Sequence, residues 1–446
     1  MSNSVLTNRK IITIGLMLFS LFFGAGNLIF PPLLGQEAGK HVFIAMLGFF
    51  ITGIGLPLLA VIAVGLSENG LQSMASRVHP LFGLILGLMI YLSIGPFFGI
   101  PRTGTVSFEM GLSFLPESIT NQVWALPVFT IVYFLVTFWF GLNPSKLIDR
   151  IGKILTPSLL LLIVILFVQG LLNPLGDLGQ PTGDYVNSAF SRGFIEGYLT
   201  MDTLGALVFG GMVVASIQGF GVSDRKQVAT TTFRAGLIAV SLLALVYFAL
   251  AYLGATSQQY GMMENGGEIL TLVANVLFSS YGTLILGGVV VLACLTTSIG
   301  LSTAVAHYLN QVFPHLSYRQ WLLIVILFSA VVANIGLTQL IAISVPVLGM
   351  LYPVAIVLIL LSSIDPLFKG YRAVYVGGLG GAFLVSLLEL AVKENQFLDS
   401  ILSWVHYIPL FDHGIGWLIP AILGSFVGYG IEVAMAKKTA LSLKEQ

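Results

Sequence analysis

Charged side chains are scarce in this sequence. Only 9% of its 446 residues are Asp, Glu, Lys or Arg, whereas soluble globular proteins carry about 25%. The 19 basic and 19 acidic residues balance, which leaves no net charge to attract a nucleic acid. Because 57% of the residues are hydrophobic and the mean hydropathy is +0.97, the composition indicates an integral membrane protein.

Cysteine and the common catalytic motifs are also missing. Cys294 is the single cysteine, which excludes an intrachain disulfide and a cysteine-based metal cluster. The sequence contains no HExxH zinc motif, no Walker-type phosphate loop and no nucleophile elbow. We therefore predict that the protein is not an enzyme, has no catalytic residues and needs no cofactor beyond a coupling ion.

What the sequence does contain is a series of long apolar segments. A spanning helix needs about 20 apolar residues, and by that criterion twelve segments are predicted, at about 11–36, 42–66, 80–112, 123–141, 153–172, 200–222, 232–254, 270–312, 320–336, 338–362, 372–392 and 409–434. With the N-terminus inside, 15 of the 19 basic residues fall in inner segments and three, Lys40, Arg192 and Lys393, in outer ones. The excess of inner Lys and Arg predicts that both termini are cytoplasmic.

Gly24, Gly26 and Asn27, followed by Pro31 and Pro32, interrupt the first segment. Gly and Asn weaken a helix, and in hydrocarbon every freed backbone group must find another partner. The sixth segment carries a second polar, glycine-rich patch from Val213 to Gly221. Two interrupted segments, five apart and opposite in direction, predict an inverted repeat with a binding site near the midplane, although glycines also serve close helix packing.

The interrupted helices predict what the site binds. N–H groups at the start of a half-helix suit a carboxylate, and exposed carbonyls suit an ammonium group or Na⁺, so the site fits a zwitterion. In the eighth segment, Thr296, Thr297 and Ser298 offer hydroxyl oxygens to a hard cation, although such hydroxyls often bond the preceding helical turn. The acidic residues Glu37, Glu109, Asp202 and Glu389 fall near predicted segment ends, which favours Na⁺ over H⁺ as the coupling ion.

The third segment contains Pro96 and Pro101, which predict a bend or break. Arg102 lies beside them, and a basic residue at this depth faces the bundle interior. We predict a structural ion pair or gate rather than a substrate contact, with Glu109 as the first candidate partner and Glu37 or Asp202 as others. The run Gly377 to Gly381 is predicted to serve helix packing.

The stretch from Gly15 to Pro32 resembles the first helix of the bacterial branched-chain amino acid:cation symporters, the LIVCS family. Gly95 to Thr103 and Ser107 to Glu109 resemble the third helix of that family, and the likeness extends over essentially the whole chain. The resemblance implies uptake of L-leucine, L-isoleucine and L-valine across a bacterial plasma membrane, coupled to Na⁺ or H⁺. It also implies the leucine-transporter fold of the amino acid/polyamine/organocation superfamily.

That fold implies an all-α membrane protein of 12 transmembrane helices with helices 1 and 6 broken. Its 5+5 inverted repeat would comprise repeat one at about 11–172 and repeat two at about 200–363, followed by two C-terminal helices at about 372–434, all in a single transmembrane domain. N–H groups near Ala25 and Gly26 would bind the substrate carboxylate, beside Asn27, and the Phe23 carbonyl would accept from the ammonium group. The implied contacts from helix 6 are Val214, Ala215, Ser216, Ile217, Gly219 and Phe220.

The sodium site of the same fold would use the carbonyls of Ser20, Phe23 and Ala293 and the hydroxyls of Thr296 and Thr297. Cys294, Thr297 and Ser298 have the same spacing, so the resemblance leaves two registers open. Sodium-coupled members carry Thr or Ser on helix 6 where this chain has Ala215 and Ile217, which favours one Na⁺ per substrate. The alternatives are a carrier of another neutral amino acid or an organic cation and, in other classes, an intramembrane enzyme or a channel.

Overall fold

The structure is a computed structural model that describes residues 6–67, 70–142, 147–222, 224–394 and 396–442. Within these ranges the regular structure is helical. The α-helices are α1 (Asn8–Phe22), α2 (Ala25–Ala38), α3 (Val42–Phe50), α4 (Leu56–Leu66), α5 (Gly70–Ala75), α6 (Pro80–Leu92), α7 (Gly99–Gly111), α8 (Glu117–Thr120), α9 (Ala125–Gly141), α10 (Leu147–Leu172), α11 (Tyr185–Leu199), α12 (Asp202–Gly219), α13 (Arg225–Ala255), α14 (Gly266–Val312), α15 (Tyr318–Ala333), α16 (Leu337–Ser363), α17 (Arg372–Glu394), α18 (Gln396–Ile401) and α19 (Leu418–Ser442).

All twelve predicted apolar segments contain helix. Among the described residues, eight helices are long and apolar enough to cross a membrane, and four shorter apolar helices are Ala125–Gly141, Pro157–Leu172, Gly266–Ser279 and Tyr318–Ala333. The number of long helices is below twelve because the first segment is divided into two pieces and several others have fewer than 18 described residues. The cytoplasmic location of the termini stays a prediction, and two of the basic residues behind it, Lys146 and Lys444, lie outside the described residues.

The first segment breaks where the sequence predicts. α1 ends at Phe22, Phe23 and Gly24 have extended backbone, and α2 begins at Ala25. The third segment also loses regularity beside its proline, because Ser93–Phe97 is a π-helix in which Gly95 leaves the helical region. The eighth segment is divided as well, since Ser279 has φ of 57° within α14. The interruptions at Phe23–Gly24 and at Ser279 divide their segments into half-helices.

The sixth segment breaks at a different place from the predicted one. Met201 adopts φ of 64° between α11 and α12, whereas Val213 to Gly219 continue α12 as a regular helix. The predicted break at Ser216 to Gly221 is therefore wrong. Glycine permits an α-helix as well as a break, and here Gly219 is simply the last residue of α12. The stretch before the break, predicted as an outer loop, is α11.

The chain divides into two compact units, Met1–Val61 with Tyr91–Val345 and Ile62–Ile90 with Pro346–Gln446. In the first unit, glycines bring helices into backbone contact, as is usual in membranes. A Cβ at Gly35 of α2 would lie 1.9 Å from the Ala251 carbonyl oxygen of α13, and one at Gly193 of α11 would lie 1.9 Å from the Ala45 carbonyl oxygen of α3. α11 and α2 are thereby fixed against the same bundle.

In the second unit, α17 and α19 pack through small residues. A Cβ at Gly377 would lie 2.0 Å from the Gly424 carbonyl oxygen, and one at Gly428 would lie 2.0 Å from the Ala373 carbonyl oxygen. The prediction that Gly377 to Gly381 serve helix packing is confirmed for Gly377 and Gly381, whereas Gly380 has no such neighbour within 4 Å. An ion pair from Arg77 to Asp365 joins the start of this unit to the turn before α17.

Replacement of Gly377 by valine should separate α17 from α19. The neighbouring backbone cannot move aside as a flexible side chain can. We therefore expect the free energy of unfolding to fall by about 1–3 kcal/mol, measured as a lower thermal unfolding midpoint of the detergent-purified protein. The matched control is Gly380→Val, which adds the same side chain to the same helix where no atom lies within 4 Å. Equal destabilisation by the two variants would contradict the packing role of Gly377.

Candidate functional site

A small cavity of about 40 Å³ lies in the first unit at the two helix breaks. Its walls come from α1, α2, α7, α12 and α14, and from the residues between α11 and α12. The lining residues are Leu21, Phe22, Gly24, Ala25, Gly26, Asn27, Ile94, Gly99, Arg102, Thr103, Thr200, Met201, Asp202, Gly205, Phe209, Thr297 and Leu301.

Asn27 connects the two breaks. Its Oδ1 accepts a hydrogen bond from the Gly24 backbone N–H at 2.7 Å, which caps the start of α2 as a capping residue does. Its Nδ2 lies 2.9 Å from both carboxylate oxygens of Asp202 and also donates to the Tyr247 hydroxyl. One buried amide therefore supports the helix 1 break and binds the first residue of α12.

Asp202 is the acidic residue of the cavity. It is 3% exposed and accepts hydrogen bonds from Asn27 and from the Tyr247 hydroxyl. Its position in the first turn of α12 is favourable, because the N-terminus of a helix attracts negative charge. The sequence placed Asp202 near a segment end. Asp202 is indeed the first residue of α12, but α11 precedes it, so this helix end is buried between two half-helices instead of facing water.

Two glycines allow the breaks to approach each other and α14. A Cβ at Gly26 would lie 3.0 Å from the Thr200 carbonyl oxygen, and one at Gly24 would lie 2.9 Å from the Thr297 side chain. A larger residue at either position would push the half-helices apart. The first N–H groups of α2 and α12 have no carbonyl partner within their own helices, and the Asp202 N–H at the start of α12 donates to the Thr200 hydroxyl at 3.3 Å.

Arg102 is bound to the end of α11. Its Nη1 donates to the Leu199 carbonyl oxygen at 2.7 Å and its Nη2 donates to the Ser344 hydroxyl at 3.0 Å, and the guanidinium carbon lies 5.1 Å from the centre of the Phe30 ring. The predicted pair with Glu109 is not formed, since the Glu109 carboxylate instead accepts from Asn265 at 3.2 Å. Arg102 lines the cavity, whereas the sequence favoured a role away from the substrate.

The predicted cation ligands are partly brought together. The Thr297 hydroxyl donates to the Phe23 carbonyl oxygen at 3.2 Å, which joins α14 to the helix 1 break. The Thr296 hydroxyl donates to the Ala293 carbonyl at 2.7 Å, in the local bonding that Thr shows within helices. Ser298 is directed elsewhere, because its hydroxyl lies 3.4 Å from that of Thr137 on α9.

Ser20 precedes Phe23 by one helical turn on α1. Thr297 belongs to both registers that the sequence leaves open, so its contact with the Phe23 carbonyl fits either of them. The alternative register of Cys294, Thr297 and Ser298 places its last hydroxyl toward α9. Within the described part of the chain, no group of three or more His, Cys, Asp or Glu side chains could hold a metal ion.

The predicted helix 6 contacts do not reach the cavity. Val214, Ala215, Ser216, Ile217, Gly219 and Phe220 belong to the last turns of α12 or follow it, and none lines the cavity. Phe220 instead lies beneath the Lys10 ammonium group, 4.9 Å from the ring centre. The residues that replace them are Thr200, Met201, Asp202, Gly205 and Phe209. A polar Thr and Asp flanking a junction without glycine were the only sequence signal for this break.

Comparison with known proteins agrees with this architecture. A family model described as branched-chain amino acid transport protein matches residues 7–435. The chain is 47% identical over 432 residues to the branched-chain amino acid permease BrnQ of Bacillus subtilis, with 96% of this chain and 98% of the relative covered. It is 43% identical over 413 residues to the branched-chain amino acid transport system 2 carrier protein of Pseudomonas aeruginosa, with 92% and 93% covered.

Solved structures support the fold. A mutant of the manganese transporter of Eremococcus coleocola superposes with a TM-score of 0.58 at 15% identity, with 94% of this chain and 96% of that chain covered. At this identity the likeness concerns the fold alone. The chain has the leucine-transporter fold shared by such transporters.

The link between the breaks predicts a reciprocal pair of variants. Asn27→Asp places a second carboxylate against Asp202, and breaking a buried pair of this kind costs about 3 kcal/mol, so we expect a clearly lower thermal unfolding midpoint at pH 7. Asp202→Asn in the same chain restores one amide facing one carboxylate, and the carboxylate introduced at position 27 would still accept from the Gly24 N–H. A double variant no more stable than Asn27→Asp alone would contradict the link.

Proposed function

Since this chain belongs to the branched-chain amino acid transport protein family, we propose that it is a symporter that imports leucine, isoleucine and valine together with Na⁺. The family consists of transporters, so the protein is not an enzyme, and it is a multi-pass protein of the cell membrane. The single observation that supports a substrate site most directly is the cavity at the two breaks, where Arg102, Asp202 and the start of α2 converge.

The two ends of a zwitterion have complementary partners in this cavity. Arg102 and the first N–H groups of α2 favour a carboxylate, through a charged donor and a helix N-terminus. Asp202 carries the opposite charge and has lone pairs beyond those used by Asn27 and Tyr247, so it suits the substrate ammonium group. The Leu199 carbonyl is already bound to Arg102, which argues against its use for the ammonium group.

The remaining wall is apolar and suits a branched side chain. Leu21, Phe22, Ile94, Phe209 and Leu301 line it, in place of the predicted Ile217 and Phe220. A hydrophobic wall distinguishes neighbours that differ by one methylene by only about 1–3 kcal/mol. Shared use of leucine, isoleucine and valine is therefore the physical expectation for such a pocket.

The proposed sodium site uses the carbonyls of Ser20, Phe23 and Ala293 and the hydroxyls of Thr296 and Thr297. The contact of Thr297 with the Phe23 carbonyl supports it, because a cation between these oxygens would tie α14 to the helix 1 break. Hard cations prefer such oxygen ligands. Na⁺ would thereby order the half-helices before the amino acid binds, and each ligand would raise the affinity for the other. One helix bundle would then rock against the rest to expose the site alternately to the two sides.

A proton is the second candidate for the coupling ion, and Asp202 is the observation that favours it. A buried carboxylate beside a substrate site is the group that proton-coupled carriers use, and Asp202 is 3% exposed at the junction of the half-helices. Under this candidate Asp202 would gain and lose a proton during transport, and a pH gradient alone would drive uptake of leucine.

The coupling ion can be tested with Thr297→Ala. Loss of one oxygen ligand to a cation should raise the Na⁺ concentration for half-maximal leucine uptake about tenfold, measured in proteoliposomes driven by a Na⁺ gradient. Ser298→Ala, one residue further on α14, is the matched control and should leave that value unchanged. Unchanged Na⁺ dependence in both Thr296→Ala and Thr297→Ala would refute this sodium site. Uptake driven by a pH gradient without Na⁺ would favour the proton.

The side-chain pocket can be tested with Gly205→Ala. The added methyl group would lie 3.4 Å from Ile94 and 3.7 Å from the Phe209 ring, so the helix should tolerate it while the pocket becomes smaller. We expect kcat/KM for leucine to fall about tenfold relative to that for valine, measured by competing uptake of the two labelled amino acids. Gly211→Ala, on the same helix with no atom within 4 Å, should leave the leucine-to-valine ratio of kcat/KM unchanged. The same ratio in both variants would show that Gly205, Ile94 and Phe209 do not form the side-chain pocket.

A further inference from the structure

A long apolar groove runs along α19 in the second unit. It has a volume of about 370 Å³ and lies between α19, the end of α16 and the turn that follows α16. Its lining residues are Val357, Leu360, Leu361, Ile364, Leu367, Phe368, Val374, Trp417, Leu418, Ala421, Ile422, Ser425, Phe426 and Tyr429. Only 11% of the apolar window of α19 is buried, against 61% for α12, so this helix leaves most of its surface uncovered.

A second hollow continues the groove at one end and contains two lysines. It shares Leu367, Phe368 and Tyr429 with the groove and adds Lys369, Tyr371 and Lys437, with Val433 and Ala436. The groove positions on α19, from Leu418 through Ile422 to Tyr429, follow one face of the helix at steps of three or four residues, and Lys437 continues that face. The result is one continuous surface, apolar along its length and cationic at its end.

The charges at this end are not cancelled by neighbours. Among the residues that the structure describes, neither Lys369 nor Lys437 forms an ion pair. Asp365, the nearest carboxylate in sequence to Lys369, is paired with Arg77 and accepts from Tyr375 at 2.8 Å. The carboxylate on α19 is that of Glu432, which accepts a hydrogen bond from the Ala373 N–H at 3.2 Å. The exposed Arg372 precedes Ala373 in the sequence.

The dimensions fit one leaflet of a bilayer. From Leu418 to Tyr429 the groove follows α19 for about 16 Å, at 1.5 Å per residue, and half of a hydrocarbon core is about 15 Å. Tyr371 and Tyr429 have ring centres 6.0 Å apart, and tyrosines are enriched at the level of lipid headgroups. Both lysines belong to segments predicted to be cytoplasmic, the side on which anionic lipids attract basic residues.

We propose that this groove binds a phospholipid with an anionic headgroup. The acyl chain lies along α19 between Leu418 and Tyr429, and the phosphate is held by Lys369 and Lys437 with the two tyrosine hydroxyls beside it. Basic pockets between membrane helices on the cytoplasmic side bind such headgroups. The lipid would cover the exposed side of α19, opposite the glycine face through which this helix packs on α17.

The test is native mass spectrometry of the full-length protein in detergent, titrated with dioleoyl phosphatidylglycerol or dioleoyl phosphatidylcholine. The wild-type protein should bind phosphatidylglycerol more tightly. Lys369→Gln with Lys437→Gln should weaken that binding about 30-fold, because each lysine near an anionic lipid contributes about 1 kcal/mol. Lys226→Gln, an exposed lysine on α13 outside the groove, is the matched control and should bind as the wild-type protein does.

The acyl part is tested separately. Ile422→Trp fills the groove and should weaken binding of phosphatidylglycerol, whereas Leu423→Trp, the next residue on α19 and outside the groove, should not. Both positions are exposed, at 47% and 59%, so both variants should fold, and equal thermal unfolding midpoints would verify this.

Three results would overturn the proposal. They are equal binding of the two lipids by the wild-type protein, competition by glycerol phosphate as strong as that by the lipid, and unchanged lipid binding in Ile422→Trp. Lipid-free dimers that are lost in Ile422→Trp would assign the groove to a second copy of the chain.

Discussion

The amide group of Asn27 is the contact on which the site depends. A broken helix exposes backbone groups that hydrocarbon cannot satisfy, and this chain contains two such breaks side by side. Asn27 caps one of them through the Gly24 N–H and binds the first residue beyond the other, Asp202. The two breaks therefore stabilise each other, because removal of either partner leaves a buried polar group without its bond, at a cost of about 1–3 kcal/mol.

The surroundings are arranged so that this junction stays compact and electrically balanced. Gly24 and Gly26 allow the start of α2 to approach the Thr297 side chain and the Thr200 backbone closely. Arg102 and Asp202 both line the cavity, so one basic and one acidic side chain face the proposed substrate. Arg102 also donates a hydrogen bond to the Leu199 carbonyl at the end of α11. The same guanidinium therefore binds a terminal carbonyl of that helix and lines the cavity.

Much of the fold could be predicted from hydropathy alone, because membrane helices must be long and apolar. The helix 1 break was also predictable, since Gly24, Gly26 and Asn27 all disfavour a regular helix at that position. The helix 6 break was not, because it occurs at Met201, a good helix former, and the nearby glycine-rich patch is regular helix. α11 was predicted as loop because its polar residues, including the Arg192–Glu196 ion pair, lower the hydropathy of this stretch below that of a membrane helix. The bond of Arg102 to Leu199 depends on long-range packing that no local pattern encodes.

The conformation of Met201 has a consequence for how the protein distributes itself between its states. A non-glycine residue at φ of 64° is held in the left-handed region at a cost of about 1–2 kcal/mol. Any state in which α11 and α12 meet at a relaxed backbone angle is favoured by that amount, which corresponds to a factor of about 5–30 in population. The unfavourable dihedral angle would thus act as a thermodynamic bias within the peptide backbone itself, making the state seen here easier to leave than its side-chain contacts alone would suggest.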